Sequence, residues 1–270
     1  MTRPPIEERF SAPSVMGVIN VTPDSFSDGG VYLRVEPAVT AAWGMLDAGA
    51  AIIDVGGEST RPGSEGVTAE QELARVEPVL TDLGGAPLSI DTSKAAVARR
   101  AIELGVELVN DVTALRSDPE LAGVVAGAGC YLCLMHMQGE PRTMQLAPTY
   151  DDVVSDVKRF LAERLAFAVG EGVREDLICL DPGIGFGKTA AHNFELVHRL
   201  GELTDLGRPI VIGFSRKSSL GALFGAATGS AAASVGIAVS AYERGATIIR
   251  AHDVREHVEA LAAAHAVVRA

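Results

Sequence analysis

Short apolar runs that each end in a polar residue recur along the whole chain. Eight residues mark the polar ends of these runs: Asn20, Asp54, Asp91, Asn110, His136, Asp181, Ser215 and Arg250. The runs are continuous and rich in β-branched residues, as expected for strands buried on both faces of a parallel sheet. Stretches with helical spacing separate them, so the alternation predicts an α/β fold, a single (β/α)8 TIM barrel. The active site of such a barrel is built from the carboxyl ends of its strands.

The helical stretches carry recognisable start and stop signals. Thr68 and Gln71 form a capping-box pattern, and Gly49, Gly105 and Gly245 stand where left-handed residues end helices just before a strand. Helices are predicted near Glu36–Ala48, Ala69–Leu83, Lys94–Leu104, Pro119–Gly127, Asp151–Gly170, Ala190–Leu203, Ser218–Phe224, Ser230–Glu243 and Val254–Val268. Without a linker or repeat, residues 1–270 are predicted to form one domain, with residues 1–13 as a loose N-terminal extension.

Three of the loops that follow predicted strands are long and polar. They are Val21–Tyr32 after the first strand, Gly56–Val67 after the second and His136–Tyr150 after the fifth. Long polar loops on the catalytic face of a barrel are usually lids or binding segments. The loops after strands 1 and 2 are therefore expected to cover the site.

Composition excludes several classes of function. The chain has 47% hydrophobic residues and a formal net charge of −12 without a basic block, which argues against nucleic-acid binding. No apolar stretch approaches the roughly 20 residues of a membrane span, and the polar N-terminus lacks the apolar core of a signal peptide. We therefore expect a soluble, cytoplasmic protein with no membrane partner.

The three cysteines do not indicate redox or metal chemistry. Cys130 and Cys133 form a C-x-x-C pattern, but both lie at a predicted strand, where positions three apart face opposite sides. No second cysteine pair or histidine cluster completes a metal site. We expect inert, mostly buried thiols.

Three polar residues at equivalent strand ends suggest a ligand site. Asp91, Asn110 and Asp181 follow the third, fourth and sixth strands, so their side chains are expected to converge on the barrel mouth. Carboxylates accept paired N–H bonds, and asparagine offers both a donor and an acceptor. Together they suit a flat heterocycle with a donor-rich, guanidine-like edge. The alternative is that each residue only caps the following helix, as Asp91 could before Thr92 and Ser93.

Basic residues near the last two strands suggest an anion site. Arg216 and Lys217 stand at the start of the helix after strand seven, and Arg250 and His252 end strand eight. Loops after strands seven and eight of barrels often hold phosphate. The alternative is that the first pair consists of surface cations. Asn20, at the end of strand one, is a weaker candidate ligand for a hydrated Mg²⁺ held mainly by substrate phosphates.

The order of the motifs resembles the dihydropteroate synthase family. The matching segments are Asn20–Gly30 (NVTPDSFSDGG), Asp54–Gly63 (DVGGESTRPG), Ser89–Thr92 (SIDT), Val109–Val112 (VNDV), Leu134–Gly139 (LMHMQG), Asp181–Lys188 (DPGIGFGK), Ser215–Ser218 (SRKS) and Arg250–Val254 (RAHDV). The similarity runs from about Met16 to the C-terminus, and the first two motifs together are highly specific. The only departure is a short Ala- and Gly-rich segment, Gly225–Gly229, which concerns packing rather than chemistry.

The resemblance implies a reaction in which p-aminobenzoate displaces pyrophosphate from 6-hydroxymethyl-7,8-dihydropterin diphosphate and forms 7,8-dihydropteroate for folate synthesis. It also implies site residues, by position in this chain. The pterin would be bound by Asp91, Asn110, Val112, Met135, Asp181, Lys217 and Arg250. The p-aminobenzoate would contact Phe26, Thr60, Arg61, Pro62, Phe186 and Ser218. The diphosphate would be held by Asn20, Thr60, Arg61, Arg250 and His252, with Asn20 as a ligand of Mg²⁺.

The resemblance further implies catalytic roles for Asp28, Arg61, Lys217 and Arg250. If the C–O bond breaks ahead of attack, Asp28 on the first loop could stabilise the pterin cation, and loop closure would exclude water. The family also implies a homodimer. Two alternatives stay open at this point. One is a non-catalytic pterin-binding paralogue, and the other is a pterin-dependent methyltransferase domain, which needs no pyrophosphate site.

Overall fold

Eight parallel strands close into a barrel in chain order, and helices alternate with them. The computed structural model describes residues 3–22, 32–60, 64, 66–140 and 142–270, with residues 32–34 by backbone only. The strands are β1 Ser14–Asn20, β2 Ile52–Gly56, β3 Leu88–Asp91, β4 Leu108–Asp111, β5 Tyr131–Met135, β6 Ile178–Asp181, β7 Ile210–Ile212 and β8 Ala246–Ala251. The predicted TIM barrel is confirmed.

The helices surround the barrel as the spacing predicts. They are α1 Ile6–Arg9, α2 Tyr32–Asp47, α3 Ala69–Asp82, α4 Ala95–Glu103, α5 Glu120–Ala128, α6 Val153–Gly170, α7 Ala190–His198, α8 Gly201–Thr204, α9 Ser218–Ala222, α10 Ala231–Tyr242 and α11 Val254–Val268. The capping box of Thr68 and Gln71 is present. The prediction of one continuous helix in place of α7 and α8 was wrong. The second helix begins at Gly201, and glycine is a weak helix former. Among the described residues, no helix is long and apolar enough to cross a membrane.

Register places the polar strand ends at one level. Asn20 is the partner of Gly56, Gly56 of Asp91, and Asp91 of Asn110, around four consecutive strands. Strand β8 closes the barrel against β1. A parallel sheet aligns the carboxyl ends of its strands, so these residues share the barrel mouth.

The N-terminal segment is not the loose extension that the sequence suggested. Ile6 and Phe10 are buried in a cluster with side chains from the lower barrel, including Met16 and Tyr131. Arg9 binds the carboxylate of Glu107 at 2.7 Å, directly before β4. Two apolar side chains one helical turn apart were enough to seat α1 under the barrel. The expectation of a loose segment was therefore wrong for residues 6–10.

The cysteines are free and buried, as expected. Cys130 packs between barrel and helices, whereas Cys133 belongs to the cluster inside the lower barrel, so the two thiols face opposite sides. Burial raises the pKa of Cys130 to about 11. These thiols are part of the core.

Candidate active site

The carboxylate of Asp54 is the centre of a buried hydrogen-bond network at the barrel mouth. Ser89 Oγ donates to its Oδ1 at 2.6 Å. Asn110 Nδ2 and Arg250 Nε donate to its Oδ2 at 3.0 and 2.7 Å. Asp54 is completely buried, and its partners come from β3, β4 and β8. The network therefore fixes four strands, β2, β3, β4 and β8, relative to one another.

The network also fixes which atoms remain for a ligand. A carboxylate accepts hydrogen bonds only, so the amide nitrogen of Asn110 must face Asp54. The Oδ1 atom of Asn110 then lies on the opposite side, as an acceptor. Asn110 can therefore accept an N–H bond from a ring, as the sequence analysis required of the site.

Arg250 lies between two carboxylates. Its Nη2 atom is 2.9 Å from Asp91 Oδ2, in addition to the Nε contact with Asp54. Burial raises the pKa of Asp91 to about 7, against the charge of Arg250 and with a smaller contribution from Asp54. For Arg250, burial favours the neutral form, but the two carboxylates outweigh it and raise its pKa. Arg250 is thus a permanent cation of the mouth.

Asp181 stands beside an apolar cluster that would suit a flat ring. Its Oδ1 accepts the backbone N–H of Gly183 at 2.7 Å, and burial raises its pKa. Met135, the register partner of Asp181, belongs to this cluster. The cluster consists of Val112, Met135, Met137 and Met144, with Phe186 packed against it. The structure thus brings together Val112, Met135, Asp181 and Phe186.

Lys217 and Phe186 meet at the edge of this cluster. The Lys217 ammonium lies 4.5 Å from the centre of the Phe186 ring, a distance typical of a cation–π contact. Ser218 follows as the first residue of α9. Lys217 also lowers the pKa of Asp181, opposing burial, so its charge reaches the acceptor side of the site.

The loop between β6 and α7 is pressed against the end of β5. Gly183 has φ +69°, and a Cβ atom there would lie 1.8 Å from the carbonyl oxygen of His136. Lys188 Nζ, also buried, contacts His136 Nδ1 at 2.8 Å and the Gly183 carbonyl oxygen at 2.9 Å. Burial lowers the pKa of Lys188 to about 7. The loop that carries Phe186 is therefore held tightly against the end of β5.

The second predicted anion contact is only partly as expected. His252 is half-buried and hydrogen-bonds through Nδ1 to Ser215 Oγ at 3.3 Å. Burial lowers its pKa to about 4, so it is a neutral ligand near pH 7. Arg216, which the sequence grouped with Lys217, forms a two-pronged ion pair with Asp253. Its charge is neutralised there, and Lys217 is the cation of that motif that faces Phe186.

The remaining predicted residues lie at the rim or outside the description. Asn20 is half-buried, with Oδ1 3.6 Å from where a Cβ of Gly56 would stand. Thr60 is half-buried after β2. The predictions for Phe26, Asp28, Arg61 and Pro62 fall outside the described residues.

Sequence reasoning assigned no role to Asp54 or Lys188. Asp54 ends an apolar run as Asp91 does, so the same pattern could have indicated it. Lys188 stands seven positions after Asp181 in a glycine-rich loop, and no pattern of hydrophobic positions predicts that its ammonium is buried. Its site role became visible only from the contact with His136.

The fold and the mouth of the barrel define an enzyme of the pterin-binding class. The family model described as pterin binding enzyme matches residues 16–252, most of the chain. The dihydropteroate synthase of Escherichia coli strain K12 is 46% identical over 265 residues, covering 97% of this chain and 94% of its own. The chain belongs to the dihydropteroate synthase family.

Solved structures of dihydropteroate synthases are similar to this chain in both fold and sequence. The Xanthomonas albilineans dihydropteroate synthase with 4-aminobenzoic acid has a TM-score of 0.89 and 43% identity, covering 97% of this chain and 95% of that one. The same enzyme in complex with 7,8-dihydropteroate has a TM-score of 0.86 and 41% identity, with the same coverage. The expected family and fold are confirmed.

Proposed function

We propose that this chain condenses 6-hydroxymethyl-7,8-dihydropterin diphosphate with p-aminobenzoate and releases pyrophosphate. The amine nitrogen bonds to the exocyclic carbon, the bond from that carbon to the diphosphate oxygen breaks, and the amine loses one proton. The observation that carries the proposal is the pairing of two ring acceptors, Asn110 Oδ1 and Asp181, with the cations Lys217 and Arg250 at one barrel mouth.

The pterin is proposed to lie on the apolar cluster of Val112 and Met135. Asp181 and Asn110 would accept its N–H groups, which form a donor-rich edge. Asp91, which binds Arg250 through Oδ2, would present its other oxygen to the same edge. A flat ring excludes water from these acceptors and strengthens each bond, since fixed dipoles in a dry site act at low dielectric.

The diphosphate is proposed to lie toward Arg250, His252 and Asn20. Because Arg250 stays charged and His252 is neutral, the first would supply charge and the second a hydrogen-bond donor. Thr60 and Arg61 would contact the same group. Charge that develops on the leaving oxygens is stabilised by such preorganised donors.

Mg²⁺ is proposed as the cofactor, with Asn20 as its protein ligand. No group of three His, Cys, Asp or Glu side chains within the described ranges could hold a metal. One amide oxygen fits an ion that keeps several waters and takes its other ligands from phosphates. When bound, Mg²⁺ supplies charge neutralisation of the leaving diphosphate. Asn20→Ala should weaken Mg²⁺ binding in the presence of the pterin diphosphate, measured by calorimetry. It should leave the stability of the ligand-free protein unchanged.

The p-aminobenzoate is proposed to lie between Phe186 and the start of α9. Lys217 and Ser218 would face its carboxylate, and Thr60, with Phe26, Arg61 and Pro62, would close the other side. An aromatic amine is a weak base that is unprotonated near pH 7, so attack needs no general base. We propose early C–O cleavage, with Asp28 stabilising the resulting cation.

Two further features belong to the proposal. We propose a homodimer, as the family resemblance implies, and sedimentation of the purified protein tests its oligomeric state. We also propose a cytoplasmic location, as the composition of the chain suggests. The alternatives differ in product. A non-catalytic paralogue binds pterin without turnover, and a methyltransferase domain binds tetrahydrofolate and a cobalamin partner.

The proposed function is tested by mass spectrometry of the products. Purified protein is incubated with Mg²⁺, dihydropterin diphosphate and p-aminobenzoate, with Lys217→Met as the control protein. We expect 7,8-dihydropteroate from the parent and at least a large loss in the variant. Pterin binding without product would establish the non-catalytic alternative instead.

A further inference from the structure

The side chain of Asn193 on α7 is almost completely buried, with 1% of its surface exposed, and hydrogen-bonds at both ends of its amide. Its Oδ1 accepts the backbone N–H of Gly185 at 2.8 Å. Its Nδ2 donates to Ser219 Oγ at 2.8 Å. Both bonds have good length, and Ser219 is itself buried, so the contact is a fixed part of the fold.

These two bonds join the segments that carry the proposed p-aminobenzoate contacts. Gly185 directly precedes Phe186 in the loop after β6. Ser219 directly follows Ser218 in α9 after β7. The Phe186 ring lies 4.5 Å from the Lys217 ammonium across this junction. Asn193 therefore links the loop that carries Phe186 to the segment that carries Lys217 and Ser218.

The other contacts of the loop hold it from a different side. Gln145 Nε2 donates to the Gly185 carbonyl oxygen, Tyr150 donates its hydroxyl to the Gly187 carbonyl oxygen at 2.7 Å, and Lys188 Nζ donates to the Phe186 carbonyl oxygen at 3.1 Å; Gln145, like Tyr150, follows β5. Tyr150 belongs to the segment after β5, and Lys188 to the loop itself. These bonds hold the loop against the segment after β5, whereas the Asn193 amide holds it against α9.

We propose that Asn193 is a positioning residue for the p-aminobenzoate site. It holds the loop of Phe186 at a fixed distance from Lys217 and Ser218, and this distance is the width of the site. The inference rests on the proposed function. Asn193 acts through Gly185 and Ser219, and its own amide atoms are used by these two partners. Of the two pterin acceptors, Asn110 is held by the Asp54 network on other strands, and Asp181 is held within the sheet as the last residue of β6.

The test is a double-mutant cycle with kinetics for each substrate. Asn193→Leu keeps the number and branching of the side-chain heavy atoms but leaves the Gly185 N–H and the Ser219 hydroxyl without this partner, which we expect to raise the KM for p-aminobenzoate about tenfold or more. The KM for the pterin diphosphate should stay within about twofold, because distant contacts add independently. Ser219→Ala breaks one bond and should raise the first KM about threefold.

The cycle separates positioning from general loss of stability. The double variant should be no worse than Asn193→Leu, because both changes break the same link. Tyr131→Phe is the control, since it removes one hydrogen bond, to the Pro4 carbonyl oxygen at 3.1 Å, at the opposite end of the barrel. It should leave both KM values unchanged.

The outcomes distinguish this inference from the proposed function. If the parent forms dihydropteroate and Asn193→Leu and Ser219→Ala both leave the KM for p-aminobenzoate unchanged, the inference is overturned. Equal increases for both substrates, or effects that add fully in the double variant, also overturn it. If the parent forms no dihydropteroate, the proposed function itself fails.

Discussion

The Nε atom of Arg250 lies 2.7 Å from Asp54 Oδ2, although the two residues are 196 positions apart in the chain. Strand β1 pairs with both β2 and β8, so barrel closure brings these side chains together. The contact is part of the core, since Asp54 is completely buried, and part of the site, since Arg250 also reaches Asp91. Stability and ligand binding therefore share this ion pair.

Asp54→Asn should lower the free energy of unfolding by about 3 to 5 kcal/mol, measured by urea denaturation. Removing one partner of a buried ion pair leaves an incompletely compensated charge. The new amide also keeps only one acceptor oxygen for the three donors that the carboxylate serves.

The control for this prediction is Lys158→Met, which breaks a surface ion pair with Asp205 at 2.7 Å. Exposed pairs contribute little, so its cost should be below about 1 kcal/mol. A cost for Asp54→Asn as small as that of the control would contradict a structural role for the network.

The effect of Asp91→Asn on the stability of the ligand-free protein, relative to the parent, should be more favourable at neutral pH than at acid pH. The pKa of this carboxyl is near 3.8 when unfolded and about 7 when folded, so between these values the folded state binds more protons. Stability of the parent therefore falls as pH rises through this range, and the variant lacks that loss. The difference in unfolding free energy, variant minus parent, should grow by up to about 4 kcal/mol from pH 4 to pH 7.

The measurement is a series of urea denaturations from pH 4 to pH 8. Leu146→Ala, at an exposed position without an ionisable group, is the control and should give a flat difference. A difference for Asp91→Asn that is also flat would show that Asp91 titrates normally.

Asp181→Asn should abolish measurable pterin binding in calorimetry. The carboxylate offers acceptors on both oxygens, and one already accepts the Gly183 N–H. The amide keeps one acceptor and presents a donor to the donor edge of the ring, so a contact becomes a repulsion. Affinity equal to the parent's would remove Asp181 from the pterin site.

Phe10→Ala should cost about 3 to 5 kcal/mol of stability without changing the KM for either substrate. The ring is buried under the barrel, with its centre 6.4 Å from that of Tyr131, far from the mouth. Glu8→Ala on the exposed face of α1 is the control. If thermal unfolding of the two variants is equal, the segment does not seal the barrel.

The barrel itself was predictable because its signal is repeated. Each strand is a short apolar run, and eight runs with a polar end leave one architecture. The positions of Asp91, Asn110 and Asp181 followed directly, since parallel register aligns strand ends. The same pattern marked Asp54 but could not show that three other side chains converge on it.

Other features depend on tertiary contacts that no pattern encodes. Arg216 and Lys217 are adjacent cations, yet one pairs with Asp253 and the other faces Phe186. Arg216 has φ +57°, and its side chain pairs with the residue directly before α11. The burial of Ile6 under the barrel was likewise invisible, since a single short turn has too few apolar positions to show a period.

The most direct test of the account is pyrophosphate release from dihydropterin diphosphate and Mg²⁺, measured with and without p-aminobenzoate. The proposed reaction requires release that depends on the amine and matches the dihydropteroate formed, one for one. No release, despite tight binding of the pterin, would contradict it and leave a barrel that holds the pterin without transferring it.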